Sequence, residues 1–215
     1  QVFVDITKAF DTVNREALWL VLAKAGCPPK FVQMFQQLHK EMTARVAVSG
    51  TLSDAIPIDN GVKQGDVAAP TLFSVFFTAL LTDAFQCCNE GILIEFRSSG
   101  SAFNLRRFNF KSKTSQAITR ELLYADDVVF MTHSEGDMQQ LMDKLSASCT
   151  SFGLSINLTK TKVMYTPAPG EPFTAPRINV NGTILGVVES FVYLGSVLSR
   201  DGSLDAEIHF RVQKA

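Results

Sequence analysis

The segment Leu122-Leu123-Tyr124-Ala125-Asp126-Asp127-Val128-Val129-Phe130 sets two adjacent carboxylates between apolar runs. Apolar residues on both sides predict two sheet strands, with the acids at or near their tight connection. Acidic pairs are common in solvated turns. Here the flanks crowd the pair against a core, where adjacent carboxylates repel each other and lose solvation unless a cation neutralises them. Mg²⁺ suits such a site, because it takes oxygen ligands, usually one or two carboxylates with substrate phosphates. A further acid must come from elsewhere. Asp5 ends an apolar strand in Val4-Asp5-Ile6-Thr7-Lys8-Ala9-Phe10-Asp11. With that strand beside the hairpin, Asp5, Asp126 and Asp127 would bracket two metal ions roughly 3.5–4 Å apart, the arrangement used for in-line phosphoryl transfer. A helix-capping or surface role explains Asp5 equally well, and Asp11 reads better as a cap or first-turn acid. A third cluster, Asn60-Gly61-Val62-Lys63-Gln64-Gly65-Asp66, places two glycines around an amide and a base just before a helix. Such a loop lets backbone approach a ligand and feeds a helix N-terminus. A plain turn is an equal alternative.

Elements must position these residues. Val2 to Ile6 is a short apolar run of strand type. Asn14 or Asp11 caps the next helix, whose apolar face is Ala17, Leu18, Val21, Leu22 and Ala25 and which Gly26 stops. Pro28-Pro29 opens a second helix with Phe31, Met34, Phe35 and Leu38 at helical spacing. Residues 45–49 and 55–58 read as a hairpin. An apolar helix spans about Ala69 to Phe85. Residues 91–96 and 117–124 look extended. Ser134 and Asp137 have capping-box spacing before a helix with Met138, Leu141, Met142, Leu145, Cys149 and Phe152 on one face. Residues 154–165 read as a strand or hairpin, and two short strand candidates follow a Pro-rich loop, at 178–180 and 191–197. The order strand, helix, strand pair, helix, strand predicts an α+β fold: a split β-α-β antiparallel sheet with helices on one face.

The bulk properties are those of a globular chain. Its 215 residues are 46% hydrophobic, 17 of them Phe, enough for one domain with its own core. A net charge of -1 argues mildly against a nucleic-acid partner. A local basic strip of Arg97, Arg106, Arg107, Lys111, Lys113 and Arg120, opposed by Glu121 alone, offsets that argument. Cys27, Cys87, Cys88 and Cys149 form no CxxC pair, so a zinc site is not expected and the thiols read as reduced and intracellular. The apolar run 67–81 is interrupted by Pro70, Thr71, Ser74 and Thr78 and reads as a buried helix, not a membrane span. Both chain ends read as cut, within a strand at Gln1 and within a helix at Ala215.

The three clusters, in this order, resemble the reverse transcriptase family, most nearly the enzymes of non-LTR (LINE-type) retrotransposons. Residues 4–11 resemble its motif A. Residues 61–65 with Ala69-Pro70-Thr71-Leu72-Phe73 resemble motif B, and Tyr124-Ala125-Asp126-Asp127 resembles motif C. Phe152-Gly153-Leu154-Ser155-Ile156-Asn157-Leu158-Thr159-Lys160-Thr161 looks like motif D, and Phe191-Val192-Tyr193-Leu194-Gly195-Ser196 like motif E, the primer grip. The resemblance implies a polymerase palm over 1–165, then over 166–215 the end of the palm with the primer-grip hairpin (Tyr193, Leu194, Gly195) and the start of the thumb connection. Fingers, most of the thumb and an endonuclease domain would lie elsewhere in a parent protein. The family's chemistry implies two Mg²⁺ ions, or Mn²⁺, held by Asp5, Asp126, Asp127 and the Ile6 carbonyl, joining a dNTP to a primer 3′-hydroxyl on an RNA template. Lys160 would protonate pyrophosphate. Phe10 would be the steric gate against a ribose 2′-hydroxyl, and Lys63, Gln64 and Gly65 would contact nucleotide and template. Arg106, Arg107, Lys111 and Lys113 would bind nucleic acid.

The sequence departs from the family at Asp66 and Ala68, where relatives carry Cys and Leu. An extra acid at 66 would repel a triphosphate. Two function classes follow. One is an RNA-directed DNA polymerase whose piece present here is inactive alone, made in the cytoplasm and acting in the nucleus. The other is a non-catalytic relic that keeps the palm or binds nucleic acid. An RNA-dependent RNA polymerase is disfavoured by Phe10 at the gate and by Gln64-Gly65.

Overall fold

The computed structural model describes every residue except 64, 87, 89, 98–113, 169 and 215. Gln64, Arg106, Arg107, Lys111 and Lys113 therefore lie outside the described residues, as does most of the basic strip. The chain opens with β1 (Val2–Val4), α1 (Arg15–Lys24) and α2 (Pro29–His39). Four two-residue strands follow, β2 (Thr43–Ala44), β3 (Ala47–Val48), β4 (Thr51–Leu52) and β5 (Ile56–Pro57), and then α3 (Ala69–Phe85). Next come β6 (Ile92–Arg97), β7 (Thr114–Thr119), β8 (Glu121–Tyr124), β9 (Asp127–Phe130) and α4 (Glu135–Phe152). The remainder is β10 (Lys162–Val163), β11 (Asn179–Val180), β12 (Thr183–Ile184), β13 (Gly186–Val187), β14 (Ser190–Tyr193), β15 (Ser196–Ser199) and α5 (Asp205–Lys214).

The central sheet has the order β13-β10-β1-β9-β8. β1 is its middle strand and runs antiparallel to both β9 and β10. β10 and β13 run parallel, so the sheet is mixed and not wholly antiparallel as the sequence suggested. The added strand comes from the short segments after the Pro-rich loop, whose pairing partners no local pattern specifies.

Strand alternation divides the apolar residues between two faces. Val2, Val4, Val128, Phe130 and Val163 join the main core with α1, α3 and α4. Phe3, Val129 and Met164 form a small second cluster with Phe191 and Tyr193 on the opposite face. On the main side α3 is the principal filler, because Phe73, Phe76, Phe77, Leu80, Leu81 and Ala84 recur at three- and four-residue intervals and are buried. α4 presents Met138, Leu141, Met142, Leu145 and Cys149 inward, is capped by the Ser134 hydroxyl on the Asp137 N–H at 3.0 Å, and stops at Gly153. Asn14, not Asp11, caps α1 by accepting from the Ala17 N–H at 2.9 Å. α2 differs from expectation: it buries Val32 and His39, while Phe31, Met34 and Leu38 face solvent. No described helix is long and apolar enough to cross a membrane.

Candidate active site

The register of β1 on β9 pairs Val2 with Phe130, Phe3 with Val129 and Val4 with Val128. One step further, Asp5 stands opposite Asp127. Alternation places both carboxylates on the face of Phe3 and Val129, away from the helices. That face holds a cleft of about 470 Å³ lined by Phe3, Asp5, Asp127, Thr159, Lys160, Lys162, Phe191 and Tyr193 among others. The expected approach of strand and hairpin is therefore present, and it brings together residues 122 positions apart in the sequence.

Asp126 sits differently. Tyr124 pairs with Asp127, leaving Ala125 and Asp126 as a two-residue turn, with Ala125 at φ 55°. From the turn, Asp126 does not share the side-chain alternation of β9 and does not line the cleft. It is still close enough to act on its neighbour. Burial raises the Asp127 carboxyl above its ordinary value, and the charges of Asp126 and then Asp5 raise it further. Burial, followed by the Asp127 charge, also raises the Tyr193 phenol. Among the described residues no three His, Cys, Asp or Glu side chains close up into a metal-holding group. The donor chemistry of the Asp5–Asp127 pair nonetheless fits a divalent cation, since both supply hard carboxylate oxygens and a positive charge would relieve the strain on the ionised Asp127.

Lys160 supplies such a charge from the protein itself. Its Nζ lies 3.6 Å from Asp5 Oδ1, in a pair whose side chains are 69% and 34% exposed, so solvent screens most of its value. The 155–161 segment is built to present it. Thr7 donates its N–H to the Ser155 carbonyl, Asn157 donates to the Asp5 carbonyl, and Ile6 bridges Ile156. The Asn157 side chain accepts the N–H groups of Thr159 and Lys160, and buried Thr161 accepts the Asp5 N–H at 3.2 Å. The bonds of this bridge are made by the neighbours of Ile6 and Ile156, so it sets the two residues side by side beside the acids without using the Ile6 carbonyl.

The remaining sequence candidates fall on two other elements. Phe10 is half-buried, with its ring stacked on Phe73 at 4.5 Å. Its carbonyl accepts the Val62 N–H at 2.8 Å, which docks the 58–65 loop against it. Gly61, at φ +82°, is needed there: an added Cβ would lie 2.6 Å from the Asp11 carbonyl oxygen. Lys63 and Gly65 are exposed beyond this contact. Asp66 is half-buried and accepts the Ala68 N–H through its side chain, a local capping role. At the far side, β14 and β15 form a hairpin whose two-residue turn is Leu194 (φ 49°) and Gly195 (φ 82°). Phe191 stacks on Phe3 at 4.2 Å, and Tyr193 lies against the same ring at 5.9 Å.

Phe3 and Phe191 were not singled out in the sequence, although Phe3 two positions before Asp5 on a strand had to share its face. Arg15 was also missed. A cation in the first turn of a helix opposes the helix dipole, and that conflict was the available signal.

The fold is a mixed α+β one, with the acid pair on the sheet face opposite the helices, compatible with a polymerase palm. The chain belongs to the reverse transcriptase (RNA-dependent DNA polymerase) family, whose model it matches over residues 1–198. It is 28% identical over 207 residues to the RNA-directed DNA polymerase from mobile element jockey of Drosophila melanogaster, covering 92% of this chain and 19% of that protein. It is 25% identical over 210 residues to the Retrovirus-related Pol polyprotein from type-1 retrotransposable element R2 of Popillia japonica, covering 94% and 31%. A probable RNA-directed DNA polymerase from transposon BS of Drosophila melanogaster is 26% identical over 206 residues, covering 93% and 20%. The jockey and R2 relatives are non-LTR retrotransposon proteins, and the chain spans less than a third of the length of each of the three.

Proposed function

We propose that this chain is the palm of an RNA-directed DNA polymerase that joins dNTPs to a primer 3′-hydroxyl on an RNA template. The observation that carries this reading is the cross-strand placement of Asp5 opposite Asp127 on the sheet face left open by the helices. In it, residues 1–165 are the palm and 166–215 its end, with the primer-grip hairpin and the start of a thumb connection. β9 and β10 flank β1 and are joined by α4, which supports the split β-α-β core expected of a palm.

Asp5 and Asp127, with Asp126 from the turn and the Ile6 carbonyl, would hold two Mg²⁺ ions. Bound there, the ions supply positive charge for the triphosphate and acidify the attacking hydroxyl. The protein's own residues do the rest. Lys160, whose ammonium lies 3.6 Å from Asp5, would give a proton to departing pyrophosphate. Tyr193, Leu194 and Gly195 carry the hairpin beside the cleft and would hold the primer end. Phe10 would exclude a 2′-hydroxyl, and Lys63, Gln64 and Gly65 would meet nucleotide and template. Arg106, Arg107, Lys111 and Lys113 would contact the nucleic-acid backbone. By this reading the protein works where its template and target DNA meet, in the nucleus.

Primer extension on poly(rA)/oligo(dT) with dTTP and Mg²⁺, run with the whole protein that carries this chain, tests the proposal. Incorporation is expected, and Asp126→Ala or Asp127→Asn should abolish it. An unsubstituted protein that incorporates nothing, or an Asp126→Ala protein that loses nothing, refutes it. The ion pair of Lys160 with Asp5 favours a second reading, a palm that binds nucleic acid without catalysis. Template binding without incorporation would select that reading.

A further inference from the structure

One half-buried cation outside the acid cleft organises the other wall of the proposed nucleotide site. Arg15, the first residue of α1, donates to four backbone carbonyls. Its Nε reaches Gly61 O at 2.8 Å. Its Nη1 reaches Ile58 O at 2.9 Å and His39 O at 3.1 Å. Its Nη2 reaches Asn60 O at 3.1 Å. Among the described residues no carboxylate forms an ion pair with the guanidinium, although Asp59 lies near enough to favour its charge against the cost of burial. Three of the four acceptors belong to one loop, residues 58–61.

That loop has a single destination. Gly61 donates its N–H to Val13 O and Val62 donates to Phe10 O, each at 2.8 Å. The backbones approach so closely that position 61 has no room for a Cβ. Phe10 is therefore fixed from two sides, by Phe73 under its ring and by Val62 on its carbonyl. The clamp needs a fork of planar donors aimed at carbonyls on different strands of chain. A lysine offers one point of charge with three donors and cannot span them.

We infer that Arg15 is a positioning residue for sugar selection: by locking the 58–61 loop onto the Phe10–Val13 segment it sets the depth of the Phe10 ring and so the discrimination between dNTP and rNTP. This rests on the polymerase reading above. Arg15 touches no nucleotide, and its effect passes through Val62 and Phe10. The loop also leads into Lys63 and Gly65, so the same clamp sets where they start.

The test has two arms. Amide exchange on the 215-residue chain compares wild type, Arg15→Lys and Arg15→Ala, with Val128 and Val129 as controls in the sheet. Protection at Gly61 and Val62 should fall about tenfold to a hundredfold in both variants, the range lost with a charge-assisted hydrogen bond, while the controls hold. The second arm measures kcat/KM for dATP and ATP on an oligo(rU) template in the whole protein, wild type against Arg15→Lys. The preference for dATP should drop severalfold, through KM more than kcat. Unchanged protection at Gly61 and Val62 overturns the clamp. Lost protection with an unchanged dATP preference makes Arg15 structural only and overturns the selection role. A wild-type protein that uses neither nucleotide refutes the polymerase reading, and the selection role falls with it, while the exchange arm still decides the clamp. If Arg15→Ala fails to fold, Arg15→Lys carries both arms.

Discussion

Asp127 is held in a conflict that stability measurements can read. Partial burial and two nearby acids disfavour its charge, although Asp127 is largely exposed and solvent screens the effect, so the cost of ionising it in the folded chain is small. Asp127→Asn should therefore leave the melting temperature equal or higher at neutral pH, although it removes a proposed metal ligand. Mg²⁺ titration separates the two effects: the wild-type melting temperature should rise with Mg²⁺ and the Asp127→Asn value should not. A variant destabilised without metal would contradict the conflict. Leu194 shows the same economy on a smaller scale. It holds φ 49° in a two-residue turn with Gly195, while Asn181-Gly182, at φ 51° and 82°, makes the equivalent turn in the β11–β12 hairpin with a residue suited to it. Leu194 is also 52% exposed. Leu194→Asn should stabilise the chain by about 1 kcal/mol, the cost of a left-handed conformation at a non-glycine residue. If the leucine tip serves a primer, the gain comes with weaker primer binding, measured by thermal melt and by primer affinity on one preparation.

Among the elements, α5 is tied to β15 chiefly through one carboxylate, with Arg211 also donating to the Ser196 hydroxyl at 3.4 Å. Glu207 accepts the Val197 N–H at 2.6 Å through Oε2 and pairs with Arg211 through Oε1, tying the helix to β15. The Val197 N–H, then Arg211, holds its carboxyl below the ordinary value. A depressed carboxylate contributes stability above its unfolded value and loses it as pH falls through the folded one. Exchange at Val197 should therefore speed up as pH drops below the usual glutamate range, after correction for intrinsic rates, and Glu207→Gln should abolish that pH dependence. This tie was not legible in the sequence, because it joins a helix to a strand through a backbone donor that carries no side-chain signature. Elements set by local rules were legible: α3 from its spacing of Phe and Leu, α4 from Ser134 and Gly153, α1 from Asn14. The approach of Asp5 to the Asp126–Asp127 hairpin was legible only through the expected fold, since Asp5 by itself read equally well as a cap or a surface acid. The parallel addition of β13 was not, and neither was the outward turn of the α2 stripe, because both depend on which neighbour is absent or present at a distance. Arg15 stood in plain view as a dipole conflict whose resolution lies more than 40 residues away, at Ile58 and Gly61.

At the scale of the whole molecule, the sheet separates a face that holds the fold together from a face that works. Phe73, Phe76 and Phe130 are fully buried on the helix side, inside one continuous core. Among the described residues, the cleft side has Phe3, Val129 and Met164 buried beneath Phe191 and Tyr193. Removing an aromatic ring should therefore have different consequences on the two faces. Phe76→Ala empties a site closed by Phe152 at 5.4 Å and by α3's own neighbours, and should cost about 3–5 kcal/mol, a large fraction of a domain's stability. Its urea midpoint should fall for every probe together. Phe191→Ala removes the ring stacked on Phe3 but leaves the main core intact. It should cost less, about 1–2 kcal/mol for a half-buried aromatic contact, and its damage should be local. Amide protection across Ser190–Ser199 should collapse while Val128, Val129 and the α3 amides keep theirs. If Phe191→Ala instead lowers all amides equally, the hairpin belongs to the cooperative core, and the cleft wall is not a separately movable part of the protein.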